Sequence, residues 1–65
     1  MEAMLSQVLK IGSKVRIKNS GIYNNRVGRI VLIMPSPNHS RIYHVALSKP
    51  KIVLRFYNED LEETN

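Results

Sequence analysis

From Gly12 onward, polar and apolar residues alternate in short runs, each cut off by Asn, Gly, Ser or Pro. A period of two puts successive side chains on opposite faces of an extended chain, so this alternation predicts half-buried strands. In Lys14-Val15-Arg16-Ile17-Lys18, Val15 and Ile17 point inward and the cations point outward. Asn19-Ser20-Gly21 is turn chemistry, Asn24-Asn25 extends that loop, and Tyr23 sits inside it. Residues 26–34 form the longest strand candidate. Gly28 within it implies a bulge or a close backbone approach. Ile30-Val31-Leu32-Ile33 is continuously apolar, as in a strand covered on both faces or sharply bent. Pro35 and Pro37 place residues 35–40 in a loop, because proline cannot donate to a central ladder.

Residues 41–47 form a third strand. Tyr43, Val45 and Leu47 face inward in one register, and Ile42, His44 and Ala46 in the other. Ser48-Lys49-Pro50 is a tight turn. A fourth strand follows over 51–57, with Ile52, Leu54 and Phe56 on one face and Lys51, Val53, Arg55 and Tyr57 on the other. Asn58-Glu59-Asp60 reads as a single helical turn with Asn58 as its cap, Leu61 as a plug for the core and a last short strand behind it. Four to five short antiparallel strands joined by tight turns describe an all-β small barrel or strongly bent sheet.

A chain of 65 residues has room for one domain with a thin core. Residues 1–10 read as an N-terminal extension. Met1, Met4, Leu5 and Val8 recur at helical spacing, so a helical turn or a frayed end both fit. Residues 11–63 are the barrel and 64–65 a tail. The absence of Cys removes disulfides and thiolate metal sites, and suits a reducing compartment. No apolar run is long enough for a membrane span, and the first residues lack the pattern of a signal peptide.

The net charge is +5, and no acid occurs between Ala3 and Asn58. A body of this kind attracts polyanions or acidic proteins, although a solubilising surface has the same composition. The candidate partner-binding residues are Lys14, Arg16, Lys18, Tyr23, Arg26, Arg29, Arg55 and Tyr57, cations interleaved with aromatics. Such a surface suits single-stranded nucleic acid or the acidic face of a protein. Tyr23 and Tyr43 could equally be packing residues. No nucleophile elbow, phosphate loop or dinucleotide fingerprint is present, which argues against an enzyme. His39 lies in the proline-containing loop and His44 in mid-strand. Without Cys, and with acids only at the chain ends, they predict structural roles and no bound metal or cofactor.

The succession Ile11-Gly12-Ser13-Lys14-Val15-Arg16-Ile17, Tyr23 to Val27-Gly28-Arg29-Ile30, Tyr43-His44-Val45 and Phe56 to Glu59-Asp60-Leu61-Glu62 resembles the small SH3-like barrels of oxygenic photosynthesis. The likeness spans residues 12–62 and is greatest to the photosystem I reaction-centre subunit IV family. That family carries a longer loop before its last strand and often a Trp where Asn24 stands. The chain is also similar to the P subunit of the cytochrome b6f complex, the S subunit of the photosynthetic NDH complex and the variable chain of ferredoxin–thioredoxin reductase. These resemblances imply an SH3-like barrel serving as a non-catalytic accessory subunit. It would sit peripherally on the cytoplasmic or stromal side of the thylakoid membrane and dock acidic ferredoxin or neighbouring subunits. Val15-Arg16-Ile17, Gly21 and Arg26-Val27-Gly28-Arg29-Ile30 also resemble the KOW motif of ribosomal and elongation proteins, which implies RNA or ribosome binding instead. The acidic tail favours that alternative less, because it would repel phosphate.

Overall fold

A computed structural model of the chain describes residues 8–18, 21–37 and 41–64. Outside them lie the expected helical turn at Met1, Met4 and Leu5, the Asn19-Ser20 part of the first turn, His39, and Asn65 of the tail. Five strands are present: β1 (Lys14–Ile17), β2 (Val27–Met34), β3 (Ile42–Ala46), β4 (Val53–Phe56) and β5 (Leu61–Glu63). They form one antiparallel sheet in the order β4-β3-β2-β1-β5. A 3-10 turn over Asn58–Asp60 carries the chain from β4 to β5. The all-β expectation is therefore borne out, and the single five-stranded antiparallel sheet is consistent with a small β-barrel. No helix among the described residues is long and apolar enough to cross a membrane.

The core consists of Leu9, Val15, Ile17, Ile30, Tyr43, Val45, Leu47 and Leu61. Val15 and Ile17 are inward as the alternation of β1 requires. Tyr43, Val45 and Leu47 settle β3 in the first of its two possible registers. Ile52, Leu54 and Phe56 lie half-buried against this cluster, while Lys51, Val53 and Arg55 are exposed. Leu61 plugs the core as expected. Leu9, just before the strand pattern begins, is only 2% exposed, whereas its neighbour Val8 is 70% exposed.

The apolar run in β2 is resolved by a bend. The pairing with β3 runs Ile30↔Val45 and then Leu32↔His44, so Val31 is an extra residue at a β-bulge. A bulge inverts the inward–outward alternation beyond it. Ile30 is inward before it, Ile33 is inward after it, and Val31 and Leu32 remain 47% and 44% exposed. Cover on both faces is thus ruled out for this stretch. Gly28 answers to the other reading offered for it, close approach: a Cβ there would lie 2.5 Å from the Ala46 carbonyl oxygen.

Two turns are set by short-range chemistry. The Ser13 N–H donates to the Lys10 carbonyl (2.9 Å), and Gly12 occupies the turn with φ +94°, a conformation that L side chains rarely adopt. At the 3-10 turn the capping position falls on Tyr57, one residue earlier than the expected Asn58. The Tyr57 N–H donates to Asp60 Oδ2 (3.2 Å), and the Asp60 N–H donates back to the Tyr57 carbonyl (3.0 Å). The Asp60 carboxylate, three residues on, is what reaches back to the N–H of the residue before the turn. Asp60→Ala is expected to destabilise the fold by about 1 kcal/mol, read as a lower urea midpoint with an unchanged slope.

Candidate functional site

Register decides which cations are neighbours. Lys14 pairs with Arg29, and Val15 with Gly28. Arg29 pairs in turn with Ala46, and Ala46 with Val53. Directly opposite residues on antiparallel strands share a face, with Cβ atoms about 4.5–5.5 Å apart. Lys14, Arg29, Ala46 and Val53 therefore form one row across the outer face of four strands. Behind it runs a second row, Leu32, His44 and Arg55. The outer face is thus mixed, with exposed Val31, Leu32 and Val53 set among Lys14, Arg29 and Arg55.

The candidate residues separate into several places. Lys14 and Arg29 are cross-strand partners, and no carboxylate among the described residues is paired with either. Arg29 Nη1 donates to the Gly12 carbonyl (3.0 Å), which fixes one arm of the guanidinium and leaves its other donors for a ligand. Arg16 and Lys18 stand differently. Arg16 pairs with Glu62 across β1 and β5, and Lys18 Nζ lies 3.7 Å from Glu62 Oε1. The acidic segment is accordingly a strand alongside β1, not a solvated tail, and it offsets this end of the cation row. Arg16 Nη1 also donates to the Asn25 carbonyl (3.3 Å).

Arg26 donates to the Lys49 carbonyl and ties the first loop to the β3–β4 turn. Tyr23 closes a 3-10 turn over Gly21–Tyr23 that strand periodicity did not suggest, and packs half-buried against the core. Arg55 lies on β4, and Tyr57, expected at the end of that strand, instead caps the 3-10 turn that follows it; with Ile42, Phe56 and Asp60 they line a separate open cleft of about 310 Å³. Tyr23 and Tyr57 are thereby on different elements and share no stacking platform with the Lys14–Arg29 pair. Lys18–Glu62 is a solvent-exposed pair, so Glu62→Gln is expected to change stability by less than about 1 kcal/mol.

Sequence reasoning did not anticipate a groove beside the Lys14–Arg29 pair. It has a volume of about 480 Å³ and is lined by those two cations together with Val27, Val31, Ala46 and Leu47. Its cations were visible in the sequence. The apolar wall was not, because only the long-range pairing of β2 with β3 sets Val27 and Val31 beside Ala46 and Leu47. Among the described residues no group of three or more His, Cys, Asp or Glu is placed to hold a metal ion. No protein family, curated protein or solved structure matches the chain.

Proposed function

We propose that this chain is a non-catalytic docking module that engages an acidic protein through Lys14 and Arg29. The observation that carries the reading is their register. Like charges directly opposite on neighbouring strands are destabilising, and no carboxylate among the described residues relieves this pair. A partner's carboxylate would relieve it. Arg16, Lys18, Arg26 and Arg55 contribute to the long-range field that brings such a partner in. Its most specific form, an accessory subunit docking ferredoxin at a photosynthetic complex, is supported by the sequence resemblance alone. The RNA-binding alternative is favoured less, because Tyr23 packs against the core and stacking surfaces are not gathered beside the cations.

Lys14→Glu/Arg29→Glu is the test, measured as the association rate with a plant-type ferredoxin at low salt. Lys49→Glu/Lys51→Glu makes the same change in net charge on exposed residues elsewhere. The first pair is expected to slow association about tenfold, and the second by less than about threefold. Equal slowing would mean a diffuse field with no site. Binding of poly(U) in place of ferredoxin would favour RNA. Lys14→Gln should separate affinity from folding. It is expected to leave thermal stability unchanged or raise it by up to about 1 kcal/mol, since it removes one of two opposed like charges, while weakening ferredoxin binding.

A further inference from the structure

The groove beside Lys14 and Arg29 has a charged lip and an apolar wall, and this pairing specifies more than a negative partner. We infer that it receives a two-part element: an Asp or Glu carboxylate held between Lys14 and Arg29, with an adjacent apolar side chain laid against Val27, Val31 and Ala46. The inference rests on the docking reading above and names the chemistry that the same site recognises.

Three observations converge on it. First, the two cations are cross-strand partners, so a single carboxylate can lie within reach of both. Second, the Arg29 guanidinium is anchored through Nη1 to the Gly12 carbonyl, so its planar fork is already ordered and less freedom is lost when its remaining donors take a carboxylate. Third, the wall of the groove is apolar and exposed. Val31 follows the inward-facing Ile30 and points outward by ordinary strand alternation, and it is 47% exposed at the groove, which Ala46 and Leu47 also line. A wholly polar acidic segment would leave that wall in water. An apolar neighbour of the carboxylate would cover it, and burial of apolar surface is the general source of such affinity. At about 480 Å³ the groove has room for a side chain and its carboxylate neighbour.

The experiment is a titration of the 15N-labelled protein with three blocked tetrapeptides, acetyl-Ser-Leu-Glu-Ser-amide, acetyl-Ser-Leu-Gln-Ser-amide and acetyl-Ser-Ser-Glu-Ser-amide, followed by amide shifts. The Leu-Glu peptide is expected to bind about five- to tenfold more tightly than either relative, with shifts centred on Val31 and Ala46. Val31→Ser changes an exposed residue and is expected to leave the fold intact, seen as unchanged amide dispersion. It should bring the Leu-Glu peptide down to the level of the Ser-Glu peptide. Equal binding of the Leu-Glu and Ser-Glu peptides, or an undiminished preference in Val31→Ser, would overturn the inference. The docking reading would stand in that case if Lys14→Glu/Arg29→Glu still slowed association with ferredoxin. Peptide binding unaffected by Lys14→Glu/Arg29→Glu would overturn the inference and the reading together.

Discussion

Leu9→Ala is expected to remove about 2–5 kcal/mol of stability, the usual loss for truncating a fully buried leucine. A domain of 65 residues has roughly 3–10 kcal/mol in all, so this single change consumes a large part of the margin. At roughly 4–8 °C per kcal/mol for a domain of this size, the midpoint of thermal unfolding should fall on the order of 10–30 °C. The adjacent Val8→Ala serves as the comparison. Val8 is largely exposed, and its truncation should stay within about 0.5 kcal/mol. The contrast matters because both residues precede the strand pattern. Thermal and urea unfolding of the two variants, followed by circular dichroism, measure it directly. Equal, small effects would mean that Leu9 does not complete the core.

Gly28→Ala is expected to be destabilising where a glycine-to-alanine change at a compatible position would stabilise. Replacing Gly by Ala without strain gains about 0.4–1 kcal/mol by restricting the unfolded chain. At Gly28 the added Cβ would meet the Ala46 carbonyl oxygen at 2.5 Å, Val45 Cγ1 at 2.8 Å and Leu47 Cδ2 at 2.9 Å. The nearest of these atoms is backbone, and it belongs to the strand that pairs with β2 through Arg29↔Ala46. Relief requires moving β3 away from β2, which disturbs the largest strand pairing and two core side chains. The expected loss is about 1–3 kcal/mol or more, with a lower urea midpoint. The sign of the change is the readout, and a stabilised variant would contradict the close approach.

The row containing Lys14 and Arg29 passes beside Gly28, so the same substitution also bears on the site. A displaced β3 would carry Ala46 away from Arg29 and open the groove. Binding should weaken along with stability. Lys14→Gln separates the two effects, because it acts on the charge without touching the packing.

The strands were legible where one face is buried. The alternation at Val15 and Ile17 identifies inward positions, and that at Ile52, Leu54 and Phe56 groups them on the one face that packs against the core. β2 was legible only in part. A continuous run from Ile30 to Ile33 contains no mark of which residue is the extra one, and the bulge depends on the pairing with β3. Leu9 belongs to no period, so nothing local distinguishes it from Val8. β5 is three residues long with two glutamates, and its partner β1 lies far away in sequence. Only that long-range pairing reveals that Glu62 stands opposite Arg16.

The candidate site follows the same logic. All eight residues could be named from charge, aromaticity and period, but their grouping could not. Lys14, Arg16 and Lys18 look equivalent along β1. They differ because one end of the strand faces Arg29 and the other faces Glu62. Tyr23, a loop aromatic in the sequence, is drawn to the core by a 3-10 turn that a two-residue period does not encode.

The account turns on whether an acidic protein meets the outer row at Lys14 and Arg29. The measurement is an amide-shift titration of the 15N-labelled protein with unlabelled plant-type ferredoxin, at low salt and again at physiological salt. The expected result is a set of shifts following the row Lys14, Arg29, Ala46 and Val53 and extending to Val31, weaker at the higher salt. They should be lost in Lys14→Glu/Arg29→Glu. Shifts confined to the Arg55, Tyr57 and Asp60 cleft, or no shifts at all, would contradict it.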